Sequence, residues 1–184
     1  MPYRIRAEFT AQSRLVAALM GLYAELDKNP THERDVTPFA VFMAFSVEAY
    51  LNSIGFRVVP FWEKIERISW RKKIEILHSI ADRKPEWGQQ PLQFAQELFD
   101  LRDRLAHGKP EVLLTVPYAT REEAYAVHAR PDIEQPEWYR RLDRTWAVSA
   151  KAQFNRLMVY LGALHGFHES DHLLHSSGSI ESTP

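Results

Sequence analysis

The sequence has no cysteine. That excludes a disulfide framework, a thiolate zinc site, an iron–sulfur cluster and a cysteine nucleophile, and it makes the cytosol the natural compartment. Glycine is scarce as well, with seven in 184 residues, and no glycine-rich phosphate loop or internal repeat is present. No run approaches 18 uninterrupted apolar residues, and the opening Met1-Pro2-Tyr3-Arg4-Ile5-Arg6-Ala7-Glu8 has no apolar h-region. Neither a membrane span nor a secretory leader is expected. Charge of one sign is also lacking: the formal net charge is -1, so the chain does not coat nucleic acid as a polyelectrolyte, and any such contact must be local.

The residues that are there describe one soluble, helical domain. Hydrophobic residues at 45% and charged residues at 26% are ordinary globular values, and 184 residues suffice for one substantial core. Phe9, Leu15, Val16, Leu19, Leu22, Tyr23 and Leu26 recur at intervals of three and four, which predicts a helix over 8–27, stopped by Asn29-Pro30. A second helix is predicted from Thr37 as N-cap and Pro38 at the first helical position, ending at Gly55. It is apolar on nearly every face, as a central helix should be. Glu48 and Asn52 stand out on it, one turn apart, and a carboxylate there needs a partner such as arginine.

Residues 61–82 read as two short helices with a bend near Ser69, and a further helix runs from Pro91 to Gly108. The stretch 111–143 reads as an irregular surface insertion with a strand-like segment at 112–116 and one short helix at 136–142. A last helix is predicted from Arg144 to about His168, and the small polar residues 176–184 predict a disordered tail. The expected fold is all-α: an up-and-down bundle of four to five helices forming a single domain over 1–175, with the insertion before the last helix.

Chemistry is concentrated in Arg102-Asp103-Arg104-Leu105-Ala106-His107-Gly108. Arginine holds a phosphate through a fixed fork of donors, and histidine moves a proton near neutral pH. With 16 arginines and eight histidines in the chain, chance supplies roughly 0.7 pairs at this spacing, so context has to carry the signal. In a helix, residues five apart are rotated by about 140°. Arg102 and His107 therefore meet only if the helix loosens at Ala106-His107 or if a second subunit brings its own copy. Asp103, four residues before His107, is placed to orient the imidazole. In a purely structural reading, Arg102 pairs with Glu48 and His107 caps the helix end.

His165, His168, His172 and His175 are spaced three, four and three apart and would line up on a continuous helix as a weak zinc or nickel candidate. The five tryptophans are read mainly as packing residues, and Arg71-Lys72-Lys73 as a solvated basic patch.

Two segments resemble the HEPN superfamily of helical ribonuclease and toxin-like domains. One is Arg102-Asp103 followed at a distance by His107-Gly108-Lys109-Pro110; the other is Phe45-Ser46-Val47-Glu48-Ala49-Tyr50-Leu51-Asn52. The resemblance implies a cytoplasmic, metal-independent endoribonuclease without a cofactor, acting as a homodimer whose composite cleft holds both copies of Arg102 and His107. Arg102 would bind the scissile phosphate and His107 would serve as general acid or base, with Asp103 orienting and Glu48, Asn52 and Lys109 supporting. An RNA substrate, an antitoxin partner and a toxin–antitoxin, defence or stress setting go with it. The same family includes non-catalytic RNA-binding and protein-interaction modules, which is the alternative expectation.

Overall fold

A computed structural model of the protein describes residues 3–7, 9–28, 35–128, 135–173 and 178–182. Among these the chain is mostly helical. A strand β1 (Tyr3–Ala7) precedes helices α1 (Ala11–Lys28) and α2 (Thr37–Val58), a 3-10 turn at Trp62–Lys64 and α3 (Trp70–Ile80). Then come α4 (Leu92–His107), α5 (Arg121–His128), α6 (Glu137–Arg140) and α7 (Arg144–Ala163), followed by a 3-10 turn at Asp171–Leu173 and strand β2 (Gly178–Ser182).

Helix α2 is the axis of the fold, touching α1, α3, α4 and α7. Its apolar composition follows from that position. Met43, Val47, Tyr50, Leu51 and Ile54 are fully buried, meeting Leu19 of α1, Ile74 and Leu77 of α3, Leu98 and Phe99 of α4, and Leu157 and Leu161 of α7 in one core cluster. By length and composition α2 could cross a membrane, but the core it fills accounts for its hydropathy. Aromatic contacts tie the elements together: Trp70 stacks on Phe99 at 4.3 Å, and the Tyr23 hydroxyl donates to the Ala147 carbonyl at 2.7 Å.

Several boundaries differ from expectation for identifiable reasons. Thr37 is the first helical residue of α2, not its cap; the cap position is Val36, and the Asp35 carboxylate accepts from the Thr37 amide at 2.9 Å. Gly55 does not stop α2, which continues to Val58. The glycine instead makes room for Trp62, whose indole occupies the space a Cβ at position 55 would need. Helix α7 ends at Ala163, five residues before His168, and Gly166 turns the chain with φ at +73°.

The segment 112–116 forms no strand, and the insertion contains a helix, α5, that the sequence reading omits. None of the α5 side chains is buried, so burial left no apolar stripe to read. The tail expectation is corrected too: Gly178–Ser182 pairs antiparallel with Tyr3–Ala7, Tyr3 facing Ser182 and Ile5 facing Ile180. Arg4 reinforces the ribbon through Glu181 at 3.1 Å.

Candidate functional site

Helix α4 positions the motif. Phe94, Leu98 and Phe99 anchor its inner face, and the helix remains regular through His107. The loosening at Ala106-His107 that would let one chain bring Arg102 and His107 together is therefore not present.

Arg102, one-fifth exposed, lies between two carboxylates: its Nη1 is 3.1 Å from Asp103 and its Nη2 is 3.7 Å from Glu48. The guanidinium carbon is 5.3 Å from the Phe99 ring centroid, so the cation is held over an aromatic face as well. Its Nε is buried and makes no hydrogen bond to a described residue, and neither does the buried Oδ1 of Asn52. Glu48 is shared, with its other oxygen 3.3 Å from Lys73 Nζ. The Lys73 side chain is only 2% exposed, so this ammonium depends on Glu48 for compensation.

Asp103 thus faces Arg102 rather than His107, because the adjacent guanidinium is a stronger partner than an imidazole one turn away. His107 is exposed and makes no hydrogen bond to a described residue, which removes the capping role as well. It opens onto a shallow groove that also includes Asp103, Arg104, Lys109 and Glu111. Of the expected site residues, Glu48, Arg102 and Asp103 form one network beside Asn52, while His107 and Lys109 stand outside it at the helix end. Lys73 is the network member that sequence reading assigned to a solvated patch. Its spacing of four from the buried Leu77 was the available sign that it faces inward.

The C-terminal histidines do not form the stripe that a continuous helix would give, because α7 has already ended. Among the described residues no group of three His, Cys, Asp or Glu side chains is placed to hold a metal ion, and His175 lies outside them. His168 bonds Ser170 in an exposed turn. His172 is buried against Tyr50, and His165 carries a buried, unbonded Nε2.

These residues border a polar knot around Asp171. Arg57 donates to both its oxygens at 2.9 and 2.7 Å, and the Tyr50 hydroxyl donates at 2.9 Å. Nearby, His78 bonds the Tyr160 hydroxyl at 2.7 Å and the Ile74 carbonyl at 2.8 Å. Burial opposes the Asp171 charge, but the Arg57 and Tyr50 hydrogen bonds outweigh it and hold the carboxyl below its usual range. Burial lowers His78, His165 and His172 below the ordinary 6.5, and at His165 the neighbouring His78 and Arg57 add to the effect.

A depressed histidine stabilises the fold fully above the unfolded value and loses that contribution as the pH falls below it. Melting temperature should therefore be highest above pH 7 and decline through the window just below 6.5; a flat profile from pH 7.5 to 5.5 would contradict the buried, neutral state of the three rings.

The fold and site define a mostly helical protein with an Arg–Glu–Lys–Asp charge network on its central helices and an exposed histidine at the end of α4. No family model, curated protein or solved structure matches the chain.

Proposed function

We propose that the chain is a metal-independent endoribonuclease of HEPN type, active as a homodimer in a cytoplasmic toxin–antitoxin, defence or stress setting. The observation carrying this reading is the division of labour along α4: Arg102 is aimed and held by Glu48 and Asp103, whereas His107 stands free in an open groove beyond it. Because α4 stays helical through His107, an Arg102–His107 pair has to be completed from a second copy. Phe45, Glu48, Asn52 and Phe56 fall on one stripe of α2 beside Arg102, and both phenylalanines are exposed, at 47% and 65%. An apolar pair flanking the charged network suits burial against that second copy.

In the reaction, one His107 takes the proton of a ribose 2′-OH as its oxygen attacks phosphorus, with Arg102 neutralising the phosphate. The 5′-oxygen leaves with a proton donated by the second copy's His107 acting as general acid, giving a 2′,3′-cyclic phosphate and a 5′-OH. The test is incubation of a labelled, structured RNA pool with the protein in EDTA and identification of the product ends. Cyclic phosphate ends are expected; chelator-sensitive cleavage, or none by a folded dimer, would overturn the reading. The second reading, a non-catalytic RNA-binding or interaction module, draws on the Arg102–Glu48–Lys73 pairing, which a purely structural network also explains. RNA bound but left intact would favour it.

A further inference from the structure

A large cleft lies beside the candidate site and not in it. It is about 860 Å³, runs along the outer face of α4 and is closed on the far side by α6, the start of α7 and the first residues of the insertion. That size is in the range of ligand and peptide pockets. Its walls are two half-buried indoles, Trp138 and Trp146, with Leu101, Leu113 and Leu142 supplying apolar surface.

The polar groups are selective in sign. Glu97, Asp100, Glu111 and Glu137 line the cleft against two cations, Arg104 and Arg141. Arg141 is committed to Glu137 by an ion pair. The other three carboxylates bond only neutral donors. Glu111 accepts from the Trp138 indole at 2.9 Å, Glu97 from the Trp146 indole at 3.4 Å, and Asp100 from the Gln96 amide at 2.9 Å. Each indole is thus fixed edge-on by a carboxylate whose negative charge no described cation neutralises.

The cleft also contains an example of what it takes. The Arg104 guanidinium sits 5.6 Å from the Trp138 ring centroid, a cation–π contact made within the chain. Trp146, beside Glu97 and Asp100, has no described cation over it. An anionic phosphate chain would meet excess negative charge here, whereas a guanidinium finds an aromatic wall and two acceptors in one place.

We propose that this cleft is the docking site for a basic peptide segment of a partner protein, with an arginine side chain packed on Trp146 and paired with Glu97 and Asp100. The cleft suits a peptide because its acidic groups come from separate segments, Glu97 and Asp100 within one turn of α4, Glu111 beyond its end and Glu137 on α6, and can engage successive basic residues. The site is independent of the ribonuclease reading, although Arg104 and Glu111 border both the cleft and the groove at His107, so an occupant would lie beside that histidine.

The test is fluorescence anisotropy of a labelled hexa-arginine peptide titrated with the full chain, with labelled hexa-glutamate as control and free spermidine as competitor. Saturable binding of hexa-arginine alone is expected, weakened at least about tenfold by the double substitution Glu97→Gln/Glu111→Gln. Both positions are exposed and the amides keep their shape, so the variant should fold; its circular dichroism and melting temperature check this. The exposed Glu63→Gln, outside the cleft, should leave affinity unchanged. No saturable binding, equal binding of hexa-glutamate, or unaltered affinity of a folded double variant would overturn the proposal. Displacement by spermidine as effective as by unlabelled hexa-arginine would overturn the peptide in favour of a small polyamine.

Discussion

Replacing His107 with alanine should reduce RNA cleavage at least about 100-fold while leaving the melting temperature within a few degrees of the parent. The activity estimate rests on the usual contribution of a positioned general acid or base, about 10²- to 10⁴-fold. Stability should barely change because the ring is exposed and bonds no described residue. The one contact it has to lose is the attraction of its charged form for the helix C-terminus, about 0.3 to 1 kcal/mol. At roughly 2 to 4 °C per kcal/mol for a chain of this size, that is a small shift. A variant that is folded and cleaves at the parental rate would remove His107 from the chemistry. One that fails to fold would contradict the exposed position described for it.

The reverse pattern is expected at Asp171. Its replacement by alanine should lower stability by about 3 kcal/mol, the lower end of the cost of breaking a buried pair from one side. The lower end applies because Arg57 is 30% exposed and can recover some hydration, whereas the Tyr50 hydroxyl in the core loses its acceptor. The change should be visible as a fall of about 6 to 12 °C in melting temperature. Asp171→Asn retains an acceptor and should fall between the two. If the alanine variant melts with the parent, the knot does not join the segment after α7 to α2. Activity on RNA at low temperature should persist in Asp171→Ala, since none of the knot residues belongs to the Arg102 network.

The long helices were legible because local signals and burial agree. The bend at Ser69 is a capping residue whose hydroxyl accepts from the Lys72 amide, and of the stripe Phe94, Leu98, Leu101, Leu105 the first two are buried, whereas Leu101 and Leu105 are only partly covered and Phe99 takes their place in the core. Gly55 misled because composition reports a missing side chain without reporting who uses the space; Trp62, seven residues away, does. The ribbon of β1 and β2 was invisible for a related reason, since neither strand has a partner within reach in sequence and a short polar segment read alone resembles a tail. Within the candidate site, the need of Glu48 for a cation could be read from its apolar helix. That two cations share it, and that Asp103 turns to Arg102 instead of His107, depends on how α2, α3 and α4 meet.

The terminal ribbon also sets the molecule's connectivity. Tyr3 and Ser182 are register partners, so the described chain forms a nearly closed ring, with its two ends at one corner. Labels placed on the two strands therefore report on the pairing of the ribbon, a contact between segments that lie 177 residues apart in the chain at Arg4 and Glu181.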